Sequence, residues 1–201
     1  LASALYRDGR DIGAVNGGVI SEWGVSSRWG SDEVFVIEAD ESDRSFLGYD
    51  PAVLMITNVA PDHLDFYGDM DSIYEAFEGF ARNATQAIVL CADDEGTTHL
   101  ASRLDGAAPV LTYGITPTAD FRLENIDLGA HARFELTYRE QRATCELAVP
   151  GRLNALNAAG VIAVLVASGY TLVDAAAAVS GFRGADRRFQ FHGEIAGVRF
   201  F

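Results

Sequence analysis

Two short apolar runs in the first third of the chain each end in a cluster of carboxylate, amide, hydroxyl and imidazole side chains. The run at residues 34–37 is followed by the segment EADESD, and the run at residues 53–56 is followed by TNVAPDHLD. Both runs are rich in Val and Ile and lack polar alternation, which is typical of strands buried on both faces of a parallel sheet. Ligands of an open α/β sheet bind beyond the carboxyl ends of its strands, so both clusters are expected to face one crevice.

The charges of these two clusters predict a bound cation. The ionisable side chains are Glu38, Asp40, Glu41, Asp43, Asp62, His63 and Asp65. Their carboxylates would repel each other, and any phosphate nearby, unless a divalent cation lay between them. Carboxylate oxygens with one imidazole suit Mg²⁺ or Mn²⁺ better than zinc, which prefers more nitrogen and sulfur. The sequence therefore predicts a metal-bridged phosphate site.

The segments EADESD and TNVAPDHLD closely resemble the central ATP-binding domain of the Mur ligases, and within that family the alanine-adding branch. In the family, the first Glu of EADESD and the His of the DH motif hold magnesium ions, which implies Glu38 and His63 as metal-binding and catalytic residues. Two alternatives stay open. Glu38 could cap a helix near Ser42, and His63 could be a loop histidine bonded to the backbone.

The resemblance implies a function and its small molecules. It implies an ATP-dependent ligase of peptidoglycan precursor synthesis, in which ATP phosphorylates the carboxylate of UDP-N-acetylmuramate and the amine of L-alanine attacks the acyl phosphate. Asn16, in the segment Asn16-Gly17-Gly18, resembles a family loop near the sugar nucleotide, although Asn-Gly is also a common turn dipeptide. Thr57 and Asn58, which end the second apolar run, are further substrate-binding candidates.

A second motif resembles the nucleotide-binding part of the family. The segment VPGRLNALNAAG is similar to the adenine-binding pattern, in which Asn157 matches the residue that reads the adenine edge, as side-chain amides do. Asn154 lies in the same motif, and helix capping is its alternative role. The family's histidine is replaced by Leu153, which can still pack against a base. The phosphate-contacting Arg of the family aligns with Arg188, where an arginine fork suits phosphate oxygens.

Composition excludes several classes of protein. The chain has 201 residues, of which 49% are hydrophobic, so it can bury the core of one ordinary domain. The net charge of −14 argues against nucleic-acid binding, which depends on basic side chains. No apolar run approaches the length of a membrane span and no secretory leader is recognisable, so we expect a cytoplasmic protein. Cys91 and Cys145 lie far apart in apolar contexts and are expected to be reduced core residues.

The chain contains no lysine, and all 15 of its basic residues are arginine. A phosphate-binding P-loop needs a lysine, so none can lie within these residues. The resemblance implies that the loop lies immediately upstream, and we expect the fragment alone to be inactive. Several Mur ligases carry a carbamoylated lysine near the second metal, and the alanine-adding branch resembles this chain in lacking it. The N- and C-terminal domains of the intact ligase are expected to be missing.

Periodicity predicts an α/β fold, with a mostly parallel sheet flanked by helices and a small antiparallel segment, and the resemblance implies that the sheet is of the P-loop type. A helix is predicted to begin at a capping box of Ser72 and Glu75, and residues 119–149 alternate as an antiparallel meander. Apolar helices are predicted at residues 154–168 and from Thr171. We assign residues 1–186 to the central ATPase domain and residues 187–201 to the start of the connection to a C-terminal ligase domain.

The sequence leaves three alternatives to the alanine-adding ligase open. The chain could belong to a ligase of murein tripeptide recycling, which usually has a Tyr where this chain has Ser42. It could resemble a folylpolyglutamate synthetase, which shares the ATPase layer. It could also be a noncatalytic nucleotide-binding module, an interpretation that Leu153 and the missing phosphate loop would favour.

Overall fold

The structure is a computed structural model that describes residues 1–20, 22–184, 193–195 and 197–200. The strands are β1 (Gly13–Ile20), β2 (Val25–Arg28), β3 (Phe35–Ile37), β4 (Val53–Ile56), β5 (Ala87–Cys91), β6 (Val110–Gly114), β7 (Phe121–Asp127), β8 (Arg133–Tyr138), β9 (Gln141–Glu146), β10 (Gly193–Ile195) and β11 (Val198–Phe200). The α-helices are α1 (Ala2–Arg7), α2 (Leu64–Tyr67), α3 (Met70–Arg82), α4 (Glu95–Ser102), α5 (Arg152–Ala167) and α6 (Leu172–Val179). Among the described residues, no helix is both long and apolar enough to cross a bilayer.

The main sheet has six strands in the order β4-β5-β6-β7-β8-β9. Strands β4 to β7 pair in parallel, and β7, β8 and β9 pair in antiparallel. Helix α3 lies between β4 and β5, and α4 lies between β5 and β6, whereas residues 115–120 connect β6 to β7 without a helix. The antiparallel strands are connected by short turns. The predicted parallel layer with an antiparallel segment is confirmed.

Alternate side chains of the parallel strands enter two different cores. In β5, Val89 packs into a core formed with α5 and α6, and Ile88 and Leu90 pack into a second core formed with α3 and α4. Helix α5 approaches the sheet closely at Gly160, where an added Cβ would lie 2.2 Å from Cε of Met55. The sheet is therefore covered by helices on both faces, which explains the unbroken apolar runs of its parallel strands.

The two apolar runs that carry the motifs do not pair with each other. Strand β3 pairs in parallel with β1 in a three-stranded sheet of order β2-β1-β3, whereas β4 is an edge strand of the main sheet. The expectation that the first run is buried on both faces of a parallel sheet is therefore wrong, because Phe35 and Ile37 of β3 are exposed. The strands still contribute to a common core, because Val36 of β3 and Met55 of β4 both pack against the α5 side.

Two local expectations are also corrected. Residues 16–18 lie inside strand β1 rather than in a turn, with an irregular register between Val15 and Ile20. Helix α3 begins at Met70 rather than at Ser72, because the Asp69 carboxylate accepts a hydrogen bond from the Ser72 amide and becomes the N-cap. The predicted start of α6 is confirmed, since Thr171 is its N-cap.

Asp94 fixes the position of α4 relative to the loop that follows β4. Its Oδ1 accepts hydrogen bonds from the amide of Thr97, at 2.8 Å, and from the amide of Val59, at 3.1 Å. The first bond caps α4, and the second attaches the segment that leads to His63. Asp94 thus has the structural role that acidic residues commonly have at a helix start.

Replacing Asp94 with alanine should lower the free energy of unfolding by about 2–4 kcal/mol, because a lost cap costs about 1 kcal/mol and an unpaired buried amide about 1–3 kcal/mol. Asp69→Ala is the matched control, since Asp69 caps only its own helix and should cost about 1 kcal/mol. Equilibrium unfolding in urea measures both. Equal losses for the two variants would show that the bond to Val59 contributes nothing.

Candidate metal and nucleotide site

Glu38 follows β3 directly and points at the neighbouring strand. Its Oε2 accepts a hydrogen bond from the amide of Gly17 at 2.8 Å, and its own amide donates to the carbonyl of Val15. Asn16, beside Gly17, donates from Nδ2 to the carbonyl of Gly18. The structure thus brings Glu38 and Asn16, two of the predicted site residues, to the same end of the three-stranded sheet.

The loop after Glu38 is held by its own aspartates. Asp40 accepts a hydrogen bond from the amide of Ser42 at 2.8 Å, and Asp43 accepts one from the amide of Ser45 at 2.9 Å. Hydrogen bonds from the Ser42 hydroxyl and amide hold the pKa of Asp40 below its usual value, and Ser45 lowers the pKa of Asp43 in the same way. The alternative role of Glu38 as a cap near Ser42 is wrong, because Asp40 accepts the Ser42 amide bond.

His63 lies at the N-cap of α2 in the left-handed backbone region, with φ of 52°. Its amide donates to Asp62 Oδ1 at 2.8 Å, and its carbonyl accepts from the first turn of α2. Its imidazole faces two acids, with Nε2 at 3.8 Å from Oε1 of Glu41 and at 4.0 Å from Oδ1 of Asp62. The backbone bonding expected for a loop histidine is present, and it leaves the ring nitrogen directed at carboxylates.

Among the described residues, Glu41, Asp62 and His63 are the one group whose possible metal-binding atoms all lie within 4.8 Å of one another. Two carboxylates and one imidazole suit Mg²⁺ or Mn²⁺ and fit the predicted cation. Glu38 does not belong to this group. Glu41 lies in the segment EADESD and Asp62 in the segment TNVAPDHLD. Spacing alone does not tell which acid of EADESD faces the histidine.

The other predicted residues after β4 are exposed. The hydroxyl of Thr57 donates to Oδ1 of Asn58 at 3.1 Å, and both side chains are open to solvent beyond the carboxyl end of the strand. This places them on the same side of the sheet as His63, which follows six residues after Thr57. Their assignment to substrate binding stays a prediction.

The start of α5 presents the adenine motif to solvent. Leu153 is 75% exposed, and Asn157 is exposed one turn further along the helix. Asn157 forms no hydrogen bond with any residue that the structure describes, whereas Asn154 donates to the carbonyl of Pro150 at 2.7 Å. The alternative role of Asn154 as a helix cap is wrong, because the N-cap of α5 is Gly151 and Asn154 instead donates to the loop before the helix. Asn157 stays available for a ligand.

Asp93 accepts hydrogen bonds from the amides of Ile115 and Thr116, so it joins the ends of β5 and β6. Arg188 lies outside the described residues, as does the proposed domain boundary after residue 186.

Comparisons with known proteins agree with the motifs. The family described as the Mur ligase middle domain matches residues 29–165. A UDP-N-acetylmuramate–L-alanine ligase from Clavibacter sepedonicus is 48% identical over 198 residues, which cover 98% of this chain and 41% of the relative. The ligase of the same name from Thermobifida fusca is 40% identical over 193 residues, covering 92% of this chain and 40% of the relative.

Solved structures show the same fold. The crystal structure of UDP-N-acetylmuramate-alanine ligase from Thermotoga maritima superposes with a TM-score of 0.82 at 30% identity, covering 97% of this chain and 44% of that one. A UDP-N-acetylmuramate:L-alanyl-gamma-D-glutamyl-meso-diaminopimelate ligase from Neisseria meningitides gives a TM-score of 0.78 at 25% identity, covering 92% of this chain and 62% of that one. The chain spans about 41% of the length of two of the curated relatives it matches. With its parallel sheet, its motif-bearing strand ends and its match across residues 29–165, the chain belongs to the Mur ligase family, through that family's middle domain.

Proposed function

We propose that this chain is the nucleotide-binding region of an ATP-dependent ligase that joins L-alanine to UDP-N-acetylmuramate in peptidoglycan precursor synthesis. The observation that carries the proposal is the 48% identity to a ligase of that name, which extends over 98% of the chain and so includes every motif described above. The positions of Glu38 after β3, of His63 at the N-cap of α2 and of the exposed Asn157 in the second turn of α5 support it.

The reaction has two steps. An oxygen of the muramoyl carboxylate attacks the γ-phosphorus of ATP, and ADP leaves, which gives an acyl phosphate. The amine of L-alanine then attacks the acyl carbon, and inorganic phosphate leaves as the amide bond forms. Since no covalent enzyme intermediate is required, catalysis depends on positioning and on neutralisation of phosphate charge.

Each predicted residue has a defined task in this proposal. Bound Mg²⁺ would supply the positive charge that neutralises the phosphates. Glu38 and His63 would hold the ions, and Asn157 would read the adenine edge beside the apolar surface of Leu153. The remaining candidates are Asn154 and Arg188 on the nucleotide side and Asn16, Thr57 and Asn58 on the substrate side.

Further parts of the same polypeptide are the proposed partners of this region. We propose that residues 187–201 lead into a C-terminal domain that selects the amino acid.

A cytoplasmic location is also proposed. Cys91 and Cys145 are both free and buried, and burial raises the pKa of Cys145 to about 11, so its thiol stays protonated and unreactive.

The test uses the longer protein that contains this chain, supplied with UDP-N-acetylmuramate, ATP and one amino acid at a time. Release of inorganic phosphate should depend on L-alanine, with kcat/KM at least about 10-fold higher than for glycine, since one methyl group in a pocket is worth about 1–3 kcal/mol. Turnover with a murein tripeptide but not with L-alanine would assign the chain to a recycling ligase. No phosphate release with any of these substrates would indicate a noncatalytic module.

Replacing Leu153 with histidine should lower the KM for ATP about fivefold or more while kcat changes less than twofold. An aromatic ring stacked on a base is worth about 1–3 kcal/mol, and a base contact is equal in the ground and transition states. Val173→His is the matched control, because Val173 is an exposed apolar residue, at 60%, on a different helix. An unchanged KM for ATP in the Leu153 variant would remove Leu153 from the adenine site.

A further inference from the structure

Arg7, the last residue of α1, closes the C-terminal end of a different helix. Its guanidinium donates hydrogen bonds to the carbonyls of Ala178, Val179 and Ser180, at 3.0, 3.3 and 2.7 Å. Helix α6 ends at Val179 and has no basic residue of its own in its last turn. Because the last carbonyls of a helix have no partners within it, Arg7 supplies donors that α6 does not provide.

The guanidinium is held in place by the helix that carries it. Its Nε donates to the carbonyl of Ser3, one turn earlier in α1, at 3.3 Å. Ala4 and Leu5 of the same helix are buried in the core to which α5 and α6 also contribute. A planar fork that is anchored at one nitrogen presents its other donors in a fixed direction. The end of α6 is therefore held at a defined position relative to α1.

The residues that Arg7 fixes lie beside the segment that follows β9. The amide of Gly181 donates to the carbonyl of Glu146 at 2.7 Å. The amide of Ala148 donates to the carbonyl of Phe182 at 2.9 Å. The segment after α6 is thus paired with the segment after β9.

The segment after β9 runs directly into the adenine motif. On its other edge it pairs with Ala132, whose amide donates to the carbonyl of Val149 at 2.9 Å. Pro150 follows, and its carbonyl accepts a hydrogen bond from the side chain of Asn154 in the first turn of α5. The exposed Asn157 lies one turn further along the same helix. The direction in which α5 presents Asn157 thus depends on a segment held from two sides, and the end of α6 secures one of them.

We infer that Arg7 is a positioning residue for nucleotide binding, because its hydrogen bonds to the end of α6 hold the segment that leads into the adenine motif. The inference rests on the proposed function, in which Asn157 reads the adenine edge. A displaced motif would lose contacts with the base that are equal in the ground and transition states. The loss should therefore appear in the affinity for ATP and not in kcat.

Calorimetric titration of the longer protein with ATP tests this role. Arg7→Gln should raise the Kd for ATP at least about fivefold, since a contact with a base contributes on that order, while kcat at saturating substrates should change less than about twofold. Glutamine has nearly the helix propensity of arginine, so α1 should persist. Arg7→Lys keeps the charge but replaces the fork with one compact donor, so it should restore only part of the affinity.

Arg82→Gln is the matched control. Arg82 also closes the end of a neighbouring helix, because its guanidinium donates to the carbonyls of Arg103 and Asp105 after α4, at 2.7 and 3.2 Å. Its side chain is partly exposed, like that of Arg7, but it ends α3, which packs in the second core, whereas α5 packs in the first. The control should lower the urea midpoint as Arg7→Gln does and leave the Kd for ATP within about twofold of the wild-type value.

A Kd for ATP within about twofold of the wild-type value in the folded Arg7→Gln variant would overturn the inference. An equal loss of ATP affinity in Arg82→Gln would also overturn it, since both variants would then report general destabilisation. If Arg7→Gln does not fold, Arg7→Lys is compared with Arg82→Lys on the same terms. Wild-type protein that binds ATP but releases no phosphate with L-alanine would contradict the proposed ligase and leave this comparison of Kd values valid.

Discussion

The site depends on the burial of both faces of the parallel strands. Strands β4 and β5 contribute alternate side chains to two cores, and helices cover both sides, so polar residues cannot occur until the strand ends. The first polar side chain after β4 is therefore Thr57, at the carboxyl end, and His63 follows in the loop. This constraint concentrates the functional side chains at one end of the sheet, where a ligand is accessible and the core stays apolar.

The same loops use most of their acids for structure. Asp94 caps α4 and holds the amide of Val59, Asp93 joins the ends of two strands, and Asp40 and Asp43 stabilise the turn that follows β3. Each of these carboxylates accepts hydrogen bonds from backbone amides, so a cation could bind there only by displacing those hydrogen bonds. The acids beside the imidazole of His63 are Glu41 and Asp62, whose carboxylate oxygens lie 3.8 and 4.0 Å from Nε2.

Regular elements could be predicted from the sequence wherever burial determined the pattern. The run at residues 53–56 has the bounds of β4, and the alternation within residues 119–149 gave the antiparallel strands. Local competition between side chains could not be predicted, as at Asp69, which caps α3 before the expected Ser72. The placement of β3 and β4 in different sheets and the approach of Glu41 to His63 both depend on tertiary distances, which the spacing of residues does not encode.

The central claim, that His63 acts on the metal–phosphate complex of a ligase, is tested most directly by His63→Asn in the longer protein. Asparagine tolerates the left-handed backbone of His63, so the fold should persist and the urea midpoint should not change. ATP turnover with L-alanine should fall by about 100-fold or more, as expected for loss of a group that stabilises transition-state charge. The control His131→Asn, at an exposed loop histidine, should retain full turnover. Turnover of the folded His63 variant within a factor of two of the wild-type value would contradict the account.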